Sequence, residues 1–146
     1  MKNILLPIDS YGDSRNVLRD VLSHLNGMNG DFRLFVLKTY LVPKAPGHGV
    51  ISIHDELRDR SLAQLRQEIR SVEKISPDGK IRFEAVAQIG SPANVVRRFV
   101  EEKNIDCVIL GRDGEIKRED LSPLLPHVSC QVVILPSPLP THPAAE

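Results

Sequence analysis

The sequence predicts one α/β domain on an open, five-stranded parallel sheet of order 3-2-1-4-5, with helices on both faces. Three observations carry that expectation. Five short apolar runs alternate with stretches of helical periodicity, the pattern of successive β-α-β units. The third run alone alternates apolar with polar residues, which gives it one wet face or an edge position. Right-handed crossovers then leave 3-2-1-4-5 as the economical order.

The first strand is read over residues 3–8, a nearly continuous apolar run suited to a strand covered on both faces. Asp13 or Ser14 is placed to cap the helix that follows. There Val17, Leu18, Val21, Leu22 and Leu25 recur at helical spacing until Asn26-Gly27. Residues 33–40 (RLFVLKTY) form the second strand, and a loop rich in Pro and Gly covers 42–50. Ser52 and Asp55 form a capping pair for a long helix over residues 53–75, with Leu57, Leu62, Leu65, Ile69 and Val72 as its stripe. Pro77-Asp78-Gly79 turns the chain into the alternating third strand, 81–89. Gly90-Ser91-Pro92 opens the next helix, with Ser91 as N-cap and Pro92 where a missing N–H costs nothing. Val95, Val96, Phe99 and Val100 are its buried stripe. Residues 107–110 make the fourth strand, a short helix follows, and 131–135 make the fifth. The domain is read as residues 1–136, with a Pro-rich tail over 137–146.

A chain of 146 residues suits one domain with a real core. Its 19 basic and 19 acidic residues cancel, so no overall field draws it to nucleic acid or an anionic membrane. Arg58 with Arg60, and Arg97-Arg98, are interleaved with acids and read as solvated helix faces. No segment is long enough to span a bilayer, and the opening apolar run, broken by Pro7, is too short for a secretory leader. A cytoplasmic location is expected. Cys107 and Cys130 read as buried free thiols. His24, His48, His54, His127 and His142 lack metal-ligand spacing, and Ser91 and Ser122 precede proline as caps would. No nucleophile–base device assembles, so neither catalysis nor a metal is expected.

The crossovers of such a sheet diverge between strands 1 and 4, leaving a crevice at their carboxyl ends. Pro7-Ile8-Asp9-Ser10 and Leu110-Gly111-Arg112-Asp113-Gly114 converge there. The fifth strand is the far edge, yet Val132, Val133, Ile134 and Leu135 are all apolar. Long apolar edges invite pairing, and a second copy of the same strand is the simplest cover, giving a twofold homodimer.

With those residues in hand the chain resembles the universal stress protein family over nearly its whole length. The resemblance rests on ILLPIDS at the start, Gly90-Ser91-Pro92-Ala93 before the third helix, and Ile105-Asp106-Cys107-Val108-Ile109-Leu110-Gly111. His127 and Cys130 before the last strand complete it. It implies a Rossmann-like 3-2-1-4-5 fold, a dimer through strand 5 and, in many members, ATP or AMP in the crevice. Carried over by position, it implies that Pro7 and Asp9 stand beside the adenine and its sugar. Thr39 then packs on the adenine, and Leu110, Gly111 and Gly114 begin the phosphate loop.

One departure weighs against a polyphosphate. ATP-binding members resemble G-x-x-G, a spacer, then Gly before Ser or Thr. Here Gly111-x-x-Gly114 is present, but no later Gly precedes a hydroxyl residue before the fifth strand. Counted back from Cys130, Arg118 and Glu119 stand in those places. A phosphate cradle needs glycine for close backbone approach and a hydroxyl to donate. Glu119 and Asp113 bring negative charge, and two like charges about 4 Å apart repel by roughly 4 kcal/mol at an effective dielectric near 20. Arg112, Lys117 and Arg118 offset part of that. The expectation is a stress-response protein acting by association, with no cofactor and a degenerate crevice. The alternative is a sensor holding AMP or ATP with Mg, with weak hydrolysis at most.

Overall fold

The computed structural model describes residues 1–8, 13–40, 50–76, 79–111 and 130–135. Five parallel strands lie in the order 3-2-1-4-5, as the sequence predicts. They are β1 (Lys2–Ile8), β2 (Phe32–Tyr40), β3 (Ile81–Ile89), β4 (Cys107–Leu110) and β5 (Gln131–Ile134). The helices are α1 (Arg15–Asn26), α2 (Val50–Val72) with a 3-10 turn over Glu73–Ile75, and α3 (Pro92–Glu102).

Period-two alternation along the central strands divides the core. Ile4, Leu6, Ile8, Leu34 and Val36 face α1 and α2 and meet Val17, Leu18, Val21 and Leu22, with Leu65, Ile69 and Val72 from α2. Leu5, Phe35, Leu37, Val108 and Leu110 face α3 and meet Val95, Val96, Phe99 and Val100. Phe35 and Phe99 pack edge to face with ring centroids 5.3 Å apart, the geometry that aligns ring edge with ring face. The amino ends of β1 and β4 are pinned by Asn3 and Asp106: the Asn3 N–H donates to Asp106 Oδ2 at 2.8 Å, and the Asp106 N–H to the Asn3 carbonyl at 2.8 Å.

Several local expectations are corrected. α2 begins at Val50, so Ser52 lies inside the helix and the Ser52–Asp55 pair does not open it. It packs through its second half, and Leu57 and Leu62 are only half-buried. The regular helix stops at Val72, short of Ile75, where the 3-10 turn takes over. Ser14 occupies the N-cap of α1, but its hydroxyl donates to Glu68 of α2 rather than turning back to its own helix. Asp13 Oδ1 accepts the Arg15 N–H at 2.9 Å instead. Ser91 is the N-cap of α3 and Pro92 its first residue, yet the Ser91 hydroxyl makes no cap bond.

Cys107 and Cys130 are free but half-buried rather than buried. Burial pushes both thiols above their ordinary pKa. The Arg97-Arg98 pair is exposed, and Arg60 holds Glu56 at 2.6 Å on the surface of α2, as expected of solvated helix faces. Among the described residues no helix is long and apolar enough to cross a membrane, and no cluster of His, Cys, Asp and Glu could hold a metal. The expected loop over 42–49, the short helix before β5 and the tail over 137–146 fall outside the described residues, as do Pro77 and Asp78.

Candidate functional site

The carboxyl ends of β1, β2 and β4 meet at the topological switch of the sheet, the place where ligands enter open α/β folds. Pairing places the residues there. β1 pairs with β4 at Ile4–Cys107 and Leu5–Val108, so the two strands run side by side toward Pro7 and Leu110 at their carboxyl ends. On the other side Pro7 pairs with Leu37 and Ile8 with Lys38, leaving Thr39 and Tyr40 at the rim. Alternation gives Pro7, Thr39 and Leu110 to the face shared with α3, since Leu5, Leu37 and Val108 line that face. Four of the sequence-derived site residues, Pro7, Thr39, Leu110 and Gly111, therefore gather at one rim. Asp9 and Gly114 lie outside the described residues, as do Asp113, Arg118 and Glu119 of the acidic connector.

The rim is built on covered backbone. Pro7 is buried, Thr39 is 3 % exposed and Leu110 is 5 % exposed, while Gly111 is half-exposed. Tyr40 ends β2, and its carbonyl accepts the Gly90 N–H at 3.0 Å, carrying the rim across to β3. Gly90 has φ +134°, and a Cβ there would stand 2.9 Å from Val95 Cγ2, so only glycine turns β3 into α3 at this point. Burial pushes the Tyr40 phenol above its ordinary pKa. Arg58 on α2 pulls it down, while Asp55 and Asp59 add to the rise.

Sequence reasoning missed two features. Glu68 reaches across from α2 to the start of α1, where Oε1 accepts the Ser14 N–H at 3.2 Å and the Ser14 hydroxyl at 2.5 Å. Gln64 donates to Oε2 at 3.0 Å. A carboxylate thus already answers the unpaired N–H and partial positive charge at the beginning of this helix. The second is Lys38, which is 2 % exposed although its place in RLFVLKTY reads as a polar strand residue. A separate concavity of about 300 Å³ lies at the opposite, amino end of the sheet, lined by Ile4, Leu25, Phe32, Ile109 and Val133. It shares no residue with the rim.

At the far edge, β5 pairs only with β4 among the described strands. Val132 and Val133 are half-buried against the two core clusters, and Leu135 is 8 % exposed. Ile134 is 41 % exposed, a large apolar side chain on this edge strand.

Comparison with known proteins agrees with this architecture. The model of the universal stress protein family matches residues 1–136. No curated protein matches the chain by sequence. Among solved structures, the universal stress protein UspA from Lactobacillus plantarum superposes with a TM-score of 0.68 at 16% identity, over 92% of this chain and 97% of that one. A universal stress family protein from Burkholderia pseudomallei gives 0.67 at 15% identity, over 93% and 96%. A family member from Arabidopsis thaliana with AMP bound gives 0.60 at 16% identity, over 92% and 91%. At such identities the structural likeness carries the fold alone.

Proposed function

The chain belongs to the universal stress protein family, and from that premise we propose that it is a cytoplasmic stress-response protein acting by association rather than by catalysis. It works as a homodimer joined through β5. The observation that carries this reading is the apolar edge of that strand, which pairs only with β4 among the described strands, with Ile134 41 % exposed between the half-buried Val133 and the buried Leu135. An unpaired strand edge offers backbone donors and acceptors to any matching strand, and a second copy satisfies it with closed symmetry. Val133 packs on the core, so a charge there would disturb the fold as well as the edge. Ile134→Asp is the cleaner probe. Sedimentation velocity is expected to show a dimer for the parent and a folded monomer for Ile134→Asp. A dimer that survives the substitution rejects the β5 interface.

A second reading is supported by the gathering of Pro7, Thr39, Leu110 and Gly111 at one rim, and by the AMP bound in the Arabidopsis relative. In it the crevice takes a mononucleotide such as AMP. ATP with Mg fits less well, because Asp113 and Glu119 of the sequence bring negative charge where a polyphosphate needs donors. Calorimetric titration separates the readings. Micromolar AMP binding that is lost in Asp9→Ala favours the sensor, and binding that is millimolar or absent favours association alone.

A further inference from the structure

Two arginines stand side by side near the amino ends of β2 and β3, where Arg33 pairs in register with Arg82. Parallel neighbours point to the same face. Alternation makes that the α3 face, because Phe35 and Val86 further along the two strands belong to the α3 cluster. Arg82 and Glu84 are exposed there and Arg33 is half-buried. Like charges in direct register repel, and an opposite charge that joins them relieves the repulsion.

The described residues supply no such charge. Ion pairs or side-chain hydrogen bonds are made by Arg15, Arg19, Arg58, Arg60 and Arg70, but neither Arg33 nor Arg82 makes one with a described residue. Glu84 follows Arg82 on the same face, in register with Phe35, and forms no ion pair with either arginine. Arg33 is placed in a telling way. Its guanidinium carbon lies 6.0 Å from the centre of the Phe35 ring, and its Nε–H is shielded from water with nothing to donate to. A buried donor without an acceptor is uncommon and costly. A guanidinium resting on an aromatic face keeps its planar fork for an oxyanion.

We infer that Arg33 and Arg82 form an oxyanion site on the α3 face and that its ligand is a phosphate dianion, free or as the monoester of a small molecule. Two guanidiniums carry two positive charges, and such a phosphate carries roughly two negative charges near neutral pH, where a carboxylate carries one. Glu84 sets a limit, since a second phosphate further along the face meets its negative charge. The site is separate from the crevice: Arg33 and Thr39 lie near opposite ends of β2, roughly 20 Å apart at a rise of about 3.3 Å per residue.

Nuclear magnetic resonance of the full chain reads the Arg33 Nε–H directly. Titration with inorganic phosphate and with glycerol phosphate is expected to move the Nε–H signals of Arg33 and Arg82 saturably, and acetate at the same concentration is expected to leave them in place. Affinity falls at least about tenfold in Arg82→Gln, a loss typical of a charge-assisted contact, and Arg82→Lys keeps part of it. Tighter binding of glycerol phosphate makes the ligand an ester, and equal binding makes it the free ion; both outcomes bear out the site. Shifts confined to the Gly111 amide put the ion in the crevice and overturn the inference. So do an equal response to acetate, equal affinity in the parent and Arg82→Gln, or no saturable shift at either arginine. Arg82 is exposed, so its replacement leaves the fold intact. Thermal unfolding gives a second readout: phosphate is expected to raise the Tm of the parent and not that of Arg82→Gln, and an equal rise in both overturns the inference.

Discussion

Replacing Glu68 tests how the start of α1 is held, because this carboxylate ties it to α2. Glu68 is 8 % exposed and Ser14 is 1 % exposed, so Glu68→Ala leaves the Ser14 N–H and hydroxyl without an acceptor and out of reach of water. Orphaning a buried donor costs about 1–3 kcal/mol, and loss of a helix cap about 1 kcal/mol. The Gln64 contact adds little, since that side chain is exposed. Relief of the buried carboxylate's own desolvation works in the opposite direction. The orphaned donors dominate, because two of them lose one shared acceptor, and the net loss is about 2–3 kcal/mol. Glu68→Gln keeps an acceptor in place and costs about 1 kcal/mol. Urea unfolding followed by far-ultraviolet circular dichroism reads both. A double-mutant cycle with Ser14→Ala is expected to show coupling of about 1–2 kcal/mol. A Glu68→Ala protein within about 0.5 kcal/mol of the parent, or strict additivity with Ser14→Ala, refutes the reasoning.

Two further outcomes follow from the same geometry. Gly90→Ala places a Cβ 2.9 Å from Val95 Cγ2 at a φ of +134°, and is expected to cost about 1–3 kcal/mol by urea unfolding; an unchanged midpoint would contradict the tight turn. Burial raises the pKa of Cys107 and Cys130, so the folded state binds those protons more tightly than the unfolded state. The resulting stability is present below the ordinary thiol pKa and is lost as pH rises through the folded values. Both thiols are expected to react with a chromogenic disulfide more slowly than free cysteine near neutral pH and to speed up on unfolding; rates equal to free cysteine would contradict this.

How much of this was legible in the sequence differs between fold and site. The sheet order followed from four apolar runs and one alternating run, because burial on two faces or one imprints directly on residue pattern. The third helix was equally plain: Gly90-Ser91-Pro92 and the Val95, Val96, Phe99, Val100 stripe are short-range signals, and the structure has both. α2 misled because Ser52 and Asp55 mimic a capping pair inside a helix that starts at Val50. Leu57 and Leu62 belong to the right periodicity, but packing reaches only the second half of the helix. The rim residues came from topology joined to a family resemblance. Strand order and direction bring the ends of β1, β2 and β4, with Pro7, Thr39 and Leu110, to one rim, while Asp9 and Gly114 lie outside the described residues. The Ser14–Glu68 contact spans 54 positions and leaves no local trace. Lys38 was invisible for another reason, since a lysine in a strand reads as a wet face until the neighbouring strands and helices are placed around it.

Native mass spectrometry of the protein as purified tests the account most directly, because one spectrum reports both assembly and any carried ligand. The account predicts a species of twice the 16.3 kDa chain mass, carrying no triphosphate. A monomer holding ATP would contradict it on both counts.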